Sequence, residues 1–220
     1  MKRQTLTAMA LMSWLAIVPL AAQEESHEHH HAAAEVLGQV NFPVTCKPEV
    51  QTAFNRAVAL LHSFGYEMAR DAFTAVVKQD PACGMAYWGV AMTYYHPIWA
   101  PPTPADLAAG RTAAETAVKI GARSEREQGY IAAIGAFYRD SDKLDHRTRA
   151  LAYKAEMEKL AAALPDDDEA AIFRALALLG TAPPTDRTYA NQKQAAQILN
   201  GLLPKHPDHP GILHYVIHAF

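Results

Sequence analysis

Apolar residues recur along most of the chain at spacings of three and four, which is the period of an amphipathic α-helix. One such stripe runs through Phe54, Val58 and Leu61, with polar residues between them. A second stripe ends before Pro81, because a proline cannot continue a helix. No segment after Pro48 alternates polar and apolar residues as a half-buried strand does. The pattern therefore predicts an all-α fold built from short helices.

The predicted helices repeat in pairs. If Pro81 is set at the proline position of a tetratricopeptide (TPR) unit, Ala69 and Phe73 fall at the alanine and aromatic positions of its second helix. Pro165 and Pro207 follow later apolar segments in the same way. Each pair has an apolar face that only a stacked neighbour can bury. The sequence therefore predicts a TPR-like α-solenoid of about four hairpins in a right-handed stack, with a fifth begun at the C-terminus.

The first residues have the order of a secretory signal peptide. Lys2 and Arg3 are followed by an apolar run over residues 6–20 and by the small residues Ala21 and Ala22. The run is short for a membrane span and is interrupted, so cleavage is favoured over an uncleaved anchor. The mature protein is therefore expected in the periplasm or outside the cell, without a membrane segment. This interpretation divides the chain into a signal peptide, a histidine-rich flexible linker and a TPR-like repeat domain, at residues 1–23, 24–36 and 37–220.

The linker contains His27, Glu28 and His31 in the H-E-x-x-H order of zinc proteases. That motif works when a helix presents both histidines to one metal and a further ligand comes from elsewhere. Here it lies in a polar tract directly after the predicted cleavage site, so we interpret it as flexible linker. Loose binding of transition metals by the neighbouring imidazoles is the alternative.

Composition and motifs exclude some classes of function. The formal net charge is -3 with histidine neutral, so no basic excess exists for binding nucleic acid. The chain also has no G-x-S-x-G elbow, no phosphate-binding P-loop and no dinucleotide-binding glycine fingerprint. We therefore expect a binding protein without enzymatic activity.

In this register, several side chains fall at positions that line the concave groove of a TPR array: His62, Trp88, Tyr95, His96, His214 and His218. Histidines there give a polar lining that binds a protein or peptide partner. His214 and His218 are also one helical turn apart and share a face, so they could hold a transition metal, although two histidines supply only half of a tetrahedral shell. Core histidines satisfied by backbone partners are a third interpretation. His62 and His96 are expected to lie too far along the array to join the ion of His214.

Cys46 and Cys83 are the only cysteines of the chain. Each precedes the first helix of a predicted hairpin. These two helices run side by side in a stacked array, so both cysteines are expected at the same end of the stack. In an oxidising compartment the pair predicts a disulfide. The alternative is a buried Cys83 and a free thiol at Cys46.

A proline-rich loop at residues 97–104 separates two predicted helices and carries Trp99. The indole either folds back onto the helices or contacts a partner. The sequence ends at Phe220 inside a helical pattern, without the polar capping helix of a solenoid. We therefore expect the chain to be truncated at its C-terminus.

Several segments of the chain resemble a bacterial family of exported TPR proteins, namely residues 37–46, 59–64, 80–89, 143–150 and 209–219. Together they extend over nearly the whole predicted mature chain. The resemblance implies the helical repeat fold and export, and it implies no particular activity. We therefore expect an exported scaffold that binds a protein or peptide partner in its groove. A periplasmic metal-binding protein that uses the groove histidines is the alternative.

Overall fold

A computed structural model describes residues 37–220 of the chain. The predicted signal peptide and histidine-rich linker lie outside these residues. Between residues 37 and 220 the chain forms nine α-helices and one 3-10 turn, and no strand occurs in this range. The prediction of an all-α fold is confirmed for this part of the chain. None of the helices in it is long and apolar enough to cross a membrane.

The helices follow one another along the chain with mostly short connections. After a 3-10 turn at Pro48–Val50, they are α1 (Gln51–His62), α2 (Tyr66–Gln79), α3 (Gly84–Tyr95), α4 (Pro104–Ile120), α5 (Glu125–Tyr138), α6 (His146–Ala163), α7 (Asp168–Gly180), α8 (Ala190–Leu202) and α9 (Pro210–Ala219). Each helix packs against the next one along the chain, and short connections make such neighbours antiparallel. Consecutive helices therefore form antiparallel neighbours from α1 to α9.

Local sequence signals set many of the helix ends. The helices α4 to α7 each begin with a side chain that accepts a hydrogen bond from a main-chain N–H of the first turn, namely Thr103, Ser124, Asp145 and Asp167. The prolines that the repeat pattern singles out lie in the turns after α2, α6 and α8, at Pro81, Pro165 and Pro207. Both kinds of signal act within a few residues, so they define helix boundaries through local contacts.

An aromatic cluster around Phe42 forms the centre of the core. The surrounding rings come from α1, α3, α5 and α7, with centroids 4.9 to 6.4 Å from that of Phe42, and they are Phe54, Trp88, Tyr130 and Phe173. All of these side chains are fully buried. The helices α1, α3, α5 and α7 therefore form an inner layer, and the extended segment (residues 37–45) lies against it.

Cys46 and Cys83 form a disulfide, as predicted, with their Cα atoms 5.0 Å apart. It joins the chain before α1 to the residue that caps α3. In the entropic account, closing a loop with a sequence separation of 37 stabilises the folded state by about 4 kcal/mol. The bond fixes one end of the extended segment next to the inner helices.

Candidate functional site

The side chains of α1 bind the main chain of the extended segment. Gln51 donates from Nε2 to the carbonyl oxygen of Phe42 at 2.9 Å and accepts at Oε1 from the N–H of Val44 at 3.1 Å. One turn along the helix, Asn55 Oδ1 accepts from the N–H of Phe42 at 3.2 Å. Two amide side chains of α1 therefore satisfy main-chain donors and acceptors of an extended peptide.

The helix α5 holds the other side of the same segment. Arg126 Nη1 donates to the carbonyl oxygen of Pro43 at 3.0 Å, and the Glu127 carboxylate accepts from the N–H of Thr45 at 2.6 Å. The guanidinium of Arg126 also lies 4.2 Å from the centre of the Phe42 ring, which is a cation–π contact. The extended segment is thus held largely through its main-chain atoms, with Phe42 as its anchor.

A cavity of about 720 Å³ lies beside the extended segment. The segment forms one wall, and Arg126 of α5, the end of α6, the start of α7 and the turn before α9 form the rest. On these walls, Arg126 Nε lies 2.7 Å from Asp167 Oδ2, and His206 Nε2 lies 2.6 Å from Asp168 Oδ2. The volume falls within the range of ligand-binding clefts, about 300–1,000 Å³. The cavity therefore offers fixed polar groups next to apolar surface.

Glu169 and His209 border this cavity and belong to a buried cluster, formed with His62 and Tyr215, that joins α1, α7 and α9. The Glu169 carboxylate lies 3.1 Å from His62 Nε2 and 2.9 Å from His209 Nε2. His62 Nδ1 lies 2.8 Å from the hydroxyl oxygen of Tyr215. All four residues are buried, and each is at most 5 % exposed. One carboxylate therefore links three helices that are far apart in the sequence.

Hydrogen bonds to the main chain fix the proton of His209. This residue precedes α9, and its Nδ1 accepts from the N–H of Gly211 at 3.1 Å and from that of Ile212 at 3.3 Å. A ring nitrogen that accepts carries no proton, so the proton is on Nε2, which donates to Glu169. The imidazole thus caps α9 with one nitrogen and binds the carboxylate with the other.

The same contacts set the ionisation of the buried cluster. Burial alone would raise the pKa of the Glu169 carboxyl, but the electrostatic attraction and hydrogen bonds of His62 and His209 outweigh burial and hold this pKa at about 2. Burial lowers the pKa of His62, against the attraction of the carboxylate. At neutral pH, Glu169 is therefore ionised, His62 donates to it from Nε2, and His62 Nδ1 accepts from Tyr215.

Two groups of three potential metal ligands occur among residues 37–220. One consists of Asp80 and the two cysteines, whose thiols are consumed by the disulfide. The other consists of His62, Glu169 and His209. A histidine that binds a metal through one nitrogen normally donates a proton from the other, but Nδ1 of His209 accepts from the main chain of α9. The donor set of the buried cluster therefore does not fit a metal ion.

Half of the predicted groove residues are buried: His62, Trp88 and Tyr95 are each 0 % exposed. The helices α7 and α9 cover His62. The Trp88 ring lies 5.5 Å from that of Phe42, and the Tyr95 ring lies 3.8 Å from that of Phe137. The prediction that these three side chains line an open groove is wrong, because the extended segment and the neighbouring helices fill the inner surface.

The remaining predicted groove residues, His96, His214 and His218, are partly buried or exposed. The His96 ring packs against that of Tyr66, with centroids 4.2 Å apart. His214 Nδ1 lies 3.2 Å from the carbonyl oxygen of His62, because α9 packs directly on α1. The expectation that His62 lies far from His214 is therefore wrong. His214 and His218 are neighbours on α9, as their spacing predicts, with ring centroids 5.2 Å apart.

The loop with Trp99 folds back toward this pair of histidines. The Trp99 ring packs edge-on against Phe64 at 5.8 Å and lies 5.7 Å from the His218 ring. The residue is nevertheless 52 % exposed. Trp99 therefore contacts the helices with one part of its ring and presents the rest at the surface.

Sequence reasoning missed most residues of the site, among them Gln51, Asn55, Arg126, Glu169, His209 and Tyr215. A local signal exists only for His209. The next residue, Pro210, favours the first turn of a helix, so His209 is expected at the N-cap position. No spacing along the chain indicates that residues 62, 169 and 215 meet. Their contact depends on the packing of α9 onto α1 and α7.

Comparison of the chain with protein-family models, with curated proteins and with solved structures gives no match. The resemblance to exported TPR proteins therefore stays a prediction that rests on the motifs. The functional interpretation rests on the geometry of the residues themselves.

Proposed function

We propose that this protein is an exported, TPR-like α-solenoid that binds an extended segment of a protein partner beside its inner helices and catalyses no reaction. One observation carries the proposal. Gln51, Asn55 and Arg126 already bind an extended peptide, the segment of this same chain, through its main-chain atoms. Main-chain hydrogen bonds of this kind give affinity for extended peptides in general, and side-chain pockets such as that of Phe42 give specificity.

The arrangement of the helices supports the repeat interpretation. The four pairs turn their first helices toward Phe42, and prolines follow α2, α6 and α8 as the TPR pattern requires. Stacked pairs of this kind form extended concave surfaces for partners. In this chain the array winds tightly enough for α9 to contact α1.

The cavity beside the extended segment is the surface proposed for the partner. Gln39 and Asn41 are exposed along one wall. Across from them, the ion pair of Arg126 with Asp167 and the imidazole of His206 offer fixed charges and donors. A partner segment along this wall would contact exposed peptide groups on one side and these polar side chains on the other.

Export has separate support. The bond between Cys46 and Cys83 is of a kind that persists in oxidising compartments and is rare in the cytosol. It agrees with the signal-peptide pattern at residues 1–23.

A photo-crosslinking residue placed inside and outside the cavity tests the proposed function. Ala163 lines the cavity and is exposed, whereas Ala75 is an equally small, exposed residue on α2. In the native envelope fraction, benzoylphenylalanine at Ala163 should yield a discrete crosslinked partner, and the same residue at Ala75 should not. Arg126→Gln combined with the Ala163 probe should reduce the yield. Equal yields from both positions, or no adduct at Ala163, would contradict the proposal.

A further inference from the structure

The helix α9 carries two imidazoles on one face, one helical turn apart. The ring centroids of His214 and His218 are 5.2 Å apart. His214 is partly buried and His218 is exposed. Side chains at this spacing on a helix are neighbours and can bind one ion together.

The main chain of α1 sets the proton of His214. Its Nδ1 lies 3.2 Å from the carbonyl oxygen of His62. A carbonyl oxygen can only accept, so Nδ1 carries the proton and Nε2 carries the lone pair. A backbone carbonyl that accepts from one nitrogen orients the ring and raises the basicity of the other nitrogen toward a metal.

Aromatic rings restrict both imidazoles. The Phe64 ring lies 4.3 Å from that of His214 and 5.5 Å from that of His218. Trp99 adds a second ring beside His218, at 5.7 Å. Side chains that are already restricted lose less conformational entropy when a ligand binds.

From these observations we infer that His214 and His218 form a binding site for a transition-metal dication. The ligands are Nε2 of His214 and one ring nitrogen of His218. Water, or a ligand from a partner, fills the remaining coordination positions. Imidazole suits copper, nickel and zinc, and at a given nitrogen site Cu²⁺ binds more tightly than Zn²⁺. The site does not depend on the proposed scaffold function, since it lies on α9 and uses none of the residues that hold the extended segment.

The experiment uses the mature chain with the histidines of residues 27–31 replaced by glutamine, because that tract also offers imidazoles to metals. Cu²⁺ is titrated against a chelating competitor at neutral pH. We expect one Cu²⁺ per chain, and at least a tenfold lower affinity in both His214→Ala and His218→Ala. The matched control is His96→Ala, a partly buried histidine outside the pair, which should leave the affinity unchanged.

Electron paramagnetic resonance of the Cu²⁺ form separates ligation from folding. We expect hyperfine coupling to two imidazole nitrogens in the parent chain and to one in each alanine variant. The decisive variant is His218→Ala, because its side chain is exposed and circular dichroism should show an unchanged fold. Unchanged Cu²⁺ affinity and coupling in His218→Ala would overturn the proposal. An equal loss of affinity in His96→Ala would overturn it as well.

Discussion

Two groups of histidines lie along the helix α9, and they differ in burial and in hydrogen bonding. At its start, His209 belongs to the buried cluster together with His62, and both rings have hydrogen-bond partners on both nitrogens. Further along, His214 is partly buried and His218 is exposed. Among residues 37–220, Nδ1 of His214 has a partner in the carbonyl oxygen of His62, and its Nε2 has none.

The role of each group depends on whether the second ring nitrogen of its imidazoles has a hydrogen-bond partner. When both nitrogens of a ring are engaged, the imidazole joins structural elements and offers no lone pair to an ion. When a carbonyl holds one nitrogen and the other is free, the ring is prepared as a ligand. The buried cluster therefore stabilises the contact of α9 with α1 and α7, although it looks more like a metal site than the surface pair does.

Replacing the Glu169 carboxylate of the buried cluster should have the largest effect on the stability of the fold. In Glu169→Gln, the neutral amide can accept from one histidine N–H, and its NH₂ group faces the other. We expect the free energy of unfolding to fall by about 2–4 kcal/mol, because one buried imidazole N–H loses its acceptor and the other loses a charged one. The matched control is Glu158→Gln on α6, whose partner is Lys154 at 3.0 Å, with an expected loss of about 0.5 kcal/mol or less. Chemical denaturation measures both, and a loss below about 1 kcal/mol in Glu169→Gln would contradict the assigned role.

Acid should remove the same interaction from the wild-type chain. The pKa of Glu169 is 4.5 for the free side chain and about 2 in the folded protein. A depressed folded pKa contributes stability that is present above the unfolded value and is lost as the pH falls through the folded value. The difference in the free energy of unfolding between wild type and Glu169→Gln should therefore shrink by about 3 kcal/mol as the pH falls from about 5 to 2. A difference that stays constant over this range would show that the histidines do not hold the carboxylate.

A methyl group at Gly211 should push α9 away from the buried cluster. A Cβ at this position would lie 2.6 Å from His62 Nδ1. We expect Gly211→Ala to lower the free energy of unfolding by about 1–3 kcal/mol through this overlap. In contrast, a Cβ at Gly201 of α8 meets nothing within 4 Å, so Gly201→Ala should stabilise the helix by about 0.5–1 kcal/mol. The same sign of change in both variants would contradict the close contact at Gly211.

The smallest effect is expected at the surface pair. Without metal, His218→Ala should change the free energy of unfolding by no more than about 0.5 kcal/mol, because the side chain is exposed. With Cu²⁺ at about 100 times its dissociation constant, the free energy of unfolding of the parent chain should rise by about 2.7 kcal/mol, and that of the variant should not rise. Thermal unfolding with and without Cu²⁺ measures the contrast, and an equal gain in both chains would place the bound metal elsewhere.

Much of the helical fold could be predicted from sequence because its signals are local. The prolines at 81, 165 and 207 lie in turns that follow helices, because proline cannot continue a helix. The spacing of His214 and His218 fixes their common face without any tertiary contact. The disulfide could be predicted because the chain has only two cysteines.

The inner surface could not be predicted in the same way. The extended segment has no helical period, so nothing in its pattern indicates that Phe42 fills the space in front of Trp88. The prediction of a groove treated that space as open to a partner. The buried cluster was missed for a related reason, since it unites residues 62, 169, 209 and 215 across long sequence separations.

The central claim is that the two histidine groups differ in the state of the second nitrogen, and ¹⁵N NMR of the imidazole rings measures this most directly. Near neutral pH, we expect the Nε2-protonated tautomer for His62 and His209 and the Nδ1-protonated tautomer for His214. Added Zn²⁺, a diamagnetic probe, should shift Nε2 of His214 and one nitrogen of His218, and it should leave His62 and His209 unchanged. An Nδ1-protonated His209, or Zn²⁺ shifts at His62 and His209 in place of the surface pair, would contradict the account.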